Sequence, residues 1–154
     1  MQSFLFNDVL ARRLWDGLFR TVLPGDVMAK WPAGGMFTTQ DPVAEQVRFD
    51  AKEIVTAGPM FGRKTFPAAG VAAAREAAVL SDNGLSMESF DGFGKLVLGT
   101  RRHNLVYLDD LASEWTADGL RLKFTLPAGS YATVLLHEVM KTTPDEPSDE
   151  PEEE

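Results

Sequence analysis

The first twenty positions carry apolar residues at three- and four-residue spacing: Leu5, Phe6, Val9, Leu10, Leu14, Leu18 and Phe19. That period predicts a helix over residues 3–19 with a broad apolar face and Ser3 as its candidate cap. A face this apolar must lie against another surface, so the chain is expected to open in the middle of a larger structure. Pro24-Gly25-Asp26 marks a turn, and the pieces VMAKW and GMFTT read as short strands around Gly34-Gly35. Asp41-Pro42 has the form of a cap followed by a first-turn proline, opening a helix to about Asp50. A strand, EIVTA, and an irregular loop, GPMFGRKTFP, come next. Pro67 opens an alanine-rich helix that Gly84 is placed to end, and a short turn of helix fits Met87–Phe90.

From Leu96 the period changes to two. LVLGTRR, NLVYLDD, ASEWTA and LRLKFTL read as strands, the last two joined by a tight turn at Asp118-Gly119. Pro127-Ala128-Gly129 breaks the pattern, and Ser130 is placed to cap a final helix, SYATVLLHEVMK, before Pro144. The predicted class is α+β.

Composition narrows the chemistry. Apolar residues make up 44% and charged residues 25% of the 154 positions, which is globular rather than disordered. The chain contains no cysteine, which removes disulfides, a thiol nucleophile and thiolate metal sites. The net charge of −8 is concentrated at the end: seven of the 23 acidic residues fall in the last ten positions, DEPSDEPEEE. The remaining body is close to neutral, and residues 144–154 are expected to form a disordered acidic tail. No export signal or membrane-spanning run is visible, so the expected setting is cytoplasmic.

Several familiar motifs fail on spacing. GPMFGRKT has three residues rather than four between its glycines, and Arg63 stands where a phosphate loop needs lysine. His137-Glu138 opens a zinc-protease helix motif, but Lys141 occupies the position of the second imidazole, so no metal is expected. Asp109 and Asp110 are adjacent on an expected strand and would face opposite sides.

Four stretches in register carry a stronger signal. FTLPAGSYATVLLHEVMKTT (residues 124–143) resembles the C-terminal signature of the TruD family of tRNA pseudouridine synthases, a strand running into L-P-x-G-S-[FY]-A-T and a helix. SFLFNDVLARRL with the following PGD, EIVTAGPMFG with the alanine-rich helix bearing Glu76, and GTRRHNLVYLDDL resemble further family segments in the same order. The resemblance implies that residues 1–102 are the latter part of the family's insertion domain. It implies likewise that residues 103–143 are the returning strands and last helix of the catalytic core. The family's segment with the nucleophilic aspartate, of the type AG-x-KD-x-x-A-x-T, has no counterpart here. The resemblance therefore assigns no catalytic residue to this chain and expects that aspartate upstream.

By the same resemblance Tyr131 is the aromatic that stacks on the target uracil; the alternative is a core aromatic over the first turn of the helix. Ser130 and Gly129 form the adjoining junction, where a helix N-terminus can accept phosphate, although a plain cap also accounts for Ser130. Arg63-Lys64 and Arg101-Arg102 are the local basic pairs, suited to an RNA backbone or to solvated charge alone. The implied substrate is tRNA, at a uridine of the D-arm, with no cofactor. The implied partner is a chain carrying the N-terminal half, or a second copy. The competing reading is a non-catalytic RNA-binding or interaction remnant. Activity of the chain alone would instead point to an internal nucleophile such as Asp26 or Asp109.

Overall fold

A computed structural model describes residues 1–94, 96–127 and 130–141. The chain forms two compact units, Met1–Tyr107 and a second that begins at Leu108. Gly129 and the acidic tail lie outside the described residues. Helices and strands are mixed, as the α+β reading expects.

The first unit contains α1 (Gln2–Trp15), β1 (Val27–Lys30), β2 (Met36–Thr38), α2 (Pro42–Asp50), β3 (Ile54–Met60), α3 (Gly70–Asp82) and β4 (Thr100–His103). A single 3-10 turn spans Met87–Phe90. The four strands form one antiparallel sheet in the order β2-β1-β3-β4, with β3 central and buried along nearly its whole length. Leu5 of α1 and Val79 and Leu80 of α3 close with Phe61 and Phe90 into one apolar cluster. Phe49 of α2 packs with Met28 and Ile54 into a second. The Leu5–Phe6 part of the α1 apolar face thus finds its surface within this unit, while Leu14 stays exposed.

Local chemistry explains the element ends. The carboxylate of Asp41 accepts from the amides of Val43 and Ala44, and Pro42 needs no donor partner at the first turn, so α2 starts as expected. α1 stops at Trp15, short of the predicted Phe19. Gly17 (φ +70°) takes the left-handed position, Gly17 N–H donates to Leu14 and Leu18 N–H to Arg13, a paired glycine cap. Gly84 (φ +68°) ends α3 in the same way, with Leu85 N–H donating to Leu80. α3 begins at Gly70 rather than Pro67, because Ala69 N–H is held by Gly25 and Ala72 N–H by Pro24. Ser3 does not cap α1, whose N-cap is Met1.

The period-two region divides differently from the expectation. Of Leu96–Arg102 only the portion from Thr100 joins the sheet, and Asn104–Asp110 forms no strand. The alternation there has another cause. Leu105 and Tyr107 turn onto the cluster of Val27, Ala29, Val55 and Ala57, and the Tyr107 hydroxyl donates to Phe49 O at 3.0 Å.

The second unit holds the hairpin β5 (Ala112–Thr116) and β6 (Gly119–Lys123), then α4 (Ala132–Met140). The hairpin turn is Ala117-Asp118, and Gly119 already pairs with Thr116. Asp110 ties the hairpin's two ends together by accepting from the amide and hydroxyl of Thr125, and those bonds hold its carboxyl below the usual range.

Candidate functional site

Arg63 and Lys64 sit exposed on the loop that follows β3. The loop is fixed from beneath. Lys64 N–H donates to Leu98 O at 2.6 Å, and the Thr65 hydroxyl donates to Met60 O at 3.1 Å. Gly62 and Gly99 make that crossing possible: a Cβ on Gly99 would lie 2.2 Å from Thr65 Oγ1, and one on Gly62 would lie 2.4 Å from Gly99 N. The two cations are therefore presented by a rigid turn rather than by a loose one.

Arg101 and Arg102 are neighbours on β4 and part company. Arg101 is buried, its side chain only 1% exposed, and forms a two-pronged ion pair with Glu76 of α3. Its remaining donors reach Phe66 O at 2.8 Å and Ala57 O at 3.2 Å. The guanidinium joins α3, the basic loop and β3, so the hydrogen bonds it makes here all go to the fold. Burial pushes the Glu76 carboxyl above the usual range, against the opposing pull of the Arg101 hydrogen bonds. Arg102 is half-buried, with its guanidinium 5.5 Å above the Phe6 ring.

A second buried pair was not legible as a site. Arg13 of α1 binds both oxygens of Asp26, at 2.8 Å on one of them, and also donates to Leu18 O and Thr21 O. Asp26 accepts in addition from Leu23 N–H. As a candidate internal nucleophile Asp26 is held by a guanidinium and an amide, an arrangement that suits a structural carboxylate. The sequence did contain a signal. Arg13 follows Leu5 and Val9 at four-residue spacing, and Glu76 stands four residues from Ala72 and from Leu80, so both are charges on a buried helix stripe.

Between α1, α3 and β3 lies a cavity of about 260 Å³, which these two acids, Asp26 and Glu76, line together with Asn104. Trp15 stands in its wall and is 87% exposed.

In the second unit, Tyr131 occupies the N-cap position of α4 and is 62% exposed, so it is not a core aromatic within the described residues. Contrary to the sequence expectation, Ser130 does not cap the helix. It sits one residue earlier, its N–H donating to Pro127 O at 3.1 Å. His137 is exposed on α4, and among the described residues no group of histidine and carboxylate side chains is placed to hold a metal ion. No helix among them is long and apolar enough to cross a membrane.

Comparison with known proteins gives this architecture its relatives. Residues 1–139 match the family model of tRNA pseudouridine synthase D (TruD). The tRNA pseudouridine synthase D of Anaeromyxobacter dehalogenans strain 2CP-1 is 45% identical over 148 residues, covering 96% of this chain and 42% of the relative. A tRNA pseudouridine synthase D of Thermus thermophilus is 45% identical over 141 residues, covering 92% of this chain and 38% of the relative. The crystal structure of a Methanosarcina mazei protein assigned as TruD superposes with a TM-score of 0.76 at 26% identity, over 93% of this chain and 37% of that one. The chain thus spans about two fifths of the length of the proteins it matches, and it belongs to the TruD family of tRNA pseudouridine synthases.

Proposed function

We propose that this chain supplies the later part of the insertion domain (residues 1–102) and the closing strands and helix (residues 103–143) of a TruD-type synthase. That enzyme would isomerise a uridine of the tRNA D-arm in the cytoplasm. The observation that carries the reading is the family match over residues 1–139, in proteins more than twice as long. The reaction is redox-neutral and balances without a cofactor. The C1′–N1 bond of uridine breaks, the detached base turns, a C1′–C5 bond forms, and the proton leaving C5 is matched by one gained at N1. A carboxylate nucleophile carries the sugar or base meanwhile, and we assign it to an upstream aspartate, since Asp26 is engaged by Arg13.

This chain's own contribution is to hold the base and the backbone. Tyr131 offers an exposed ring at the start of α4, suited to stack on uracil while it is detached. Ser130, just before the helix, and Gly129, which lies outside the described residues, are proposed to contact the same nucleotide. Arg63 and Lys64, on their rigid turn, contact phosphate, and Arg102 assists them. The partner that completes the site is a polypeptide bearing the upstream catalytic segment.

The test is pseudouridine formation in unmodified tRNA, first by the purified chain alone and then with the upstream portion of a TruD relative supplied in trans or by fusion. Activity only after addition is the expected result. Activity alone would overturn the assignment of the nucleophile. Tight tRNA binding with no activity in either case would favour the non-catalytic RNA-binding remnant.

A further inference from the structure

α1 carries two rows of side chains that want cover, and the first unit covers only one. Leu5, Phe6, Val9 and Arg13 turn inward. At about 100° per residue, Phe4, Asn7, Ala11 and Leu14 point the opposite way. Phe4 is 62% exposed and Leu14 52%, with Met1 at 66% and Trp15 at 87% beside them. A helix that is apolar on both sides belongs inside a larger core.

The outer row also says what shape it meets. Its steps of three, four and three residues are those of a seam between two helices, not of a surface laid on a strand. Ala11 is small and half-buried at the centre of the row, where a second helix can come close. Asn7, exposed, is the single polar member, the kind of seam residue that fixes register between helices. The fourteen residues of α1 span about 21 Å, so the seam suits a partner helix of about four turns.

The length of the relatives favours one source for that helix. This chain covers 42% and 38% of the two tRNA pseudouridine synthases D compared above, so more than half of each lies outside the matched region. A second copy of the chain fits less well. The row and Trp15 offer roughly 400 Å² a side, about half of the roughly 800 Å² that a stable complex of separate proteins uses. So small a seam suits a helix tethered within the same enzyme.

We propose that the outer row of α1 seats one amphipathic helix from the upstream part of the same synthase, packed lengthwise on Phe4, Ala11 and Leu14 with a polar group opposite Asn7. The proposal rests on the reading of residues 1–102 as the later part of a TruD-type insertion domain, whose earlier part would share a core with α1. It gives the first unit an interface of its own, apart from the exposed apolar residues of α4.

The chain has no cysteine, so one introduced cysteine carries a spin label at a single place. Labels at Asn7→Cys and at Leu14→Cys are compared in the full chain alone and in a fusion. The fusion places a cysteine-free upstream portion of the Anaeromyxobacter dehalogenans relative before Met1. Both labels should be mobile in the lone chain at every dilution and immobilised in the fusion. Phe4→Lys with Leu14→Lys should leave the melting temperature of the lone chain unchanged and lower that of the fusion by about 4 °C. An unchanged melt in the fusion overturns the proposal. Labels immobilised in the lone chain at every dilution would place the occupant within this chain, and labels immobilised only at high concentration would make it a second copy; either result overturns the proposal. Mobile labels in a fusion that forms pseudouridine would sink this seam and leave the proposed function standing. Immobilised labels in a fusion that forms none would uphold the seam and sink the catalytic reading instead.

Discussion

At the scale of single residues, the charges that organise this chain are the ones hidden from solvent. Arg101 joins Glu76, Phe66 and Ala57, and removing one member of a buried pair strands the other without hydration. Arg101→Met should therefore cost about 3–5 kcal/mol in urea unfolding. Arg63→Ala, at an exposed position, should leave stability within about 0.5 kcal/mol while weakening tRNA binding. Equal losses of stability in both variants would contradict this division of labour. Asp8 contributes to the pH dependence. It accepts from Arg12 and Asn83, and the Arg12 hydrogen bond holds its carboxyl below the reference value of 3.8. A carboxyl depressed on folding contributes stability that is complete above its unfolded value and lost as pH falls through its folded one. The melting temperature should drop below about pH 3.8, and less steeply in Asp8→Asn. Identical acid limbs for the two proteins would remove Asp8 from the account.

At the scale of elements, what was legible in the sequence was whatever local chemistry decides. The Asp41-Pro42 start of α2 and the Gly84 end of α3 are written in neighbouring residues, and both stand as expected. The early stop of α1 is equally local, but Gly17 lies inside an unbroken apolar period that continues to Phe19, so the pattern masked the glycine. Asn104–Asp110 failed for the opposite reason. Its alternation is real, yet it records Leu105 and Tyr107 packing on a core formed by distant strands, which no local period distinguishes from a strand. The same limit hid the cavity and the Arg13–Asp26 pair, whose members meet only through the packing of α1. The tight crossing of two loops, Gly62 against Gly99, likewise has no local signature. Its consequence is measurable. Gly99 has φ +83°, and any side chain there meets Thr65. Gly99→Ala should cost about 1–3 kcal/mol and displace Arg63 and Lys64, so tRNA affinity should fall along with the slope of its salt dependence. Loss of stability with an unchanged salt slope would separate this loop from RNA.

At the scale of the molecule, the two units differ in what they bury. The first encloses Leu5, Phe49, Ile54, Val79 and Phe90 almost completely. In the second, α4 has no buried residue, and Val134, Leu136, Val139 and Met140 are exposed, as are Trp115 and Leu120 of the hairpin. An apolar helix of nine residues gains most of its stability from packing, since a helix this short is marginal alone. A helix with apolar side chains exposed around it in water is an association surface. The chain by itself should therefore self-associate, with light scattering and melting that depend on protein concentration. Val134→Lys with Val139→Lys should suppress that association and leave the unfolding of the first unit unchanged. If the face normally receives the upstream catalytic core, the same double variant should also lose pseudouridine formation in the reconstituted enzyme, with tRNA binding by the first unit retained. A monodisperse chain whose melt ignores concentration would mean that α4 needs no cover, and the proposal that it completes a larger core would fall.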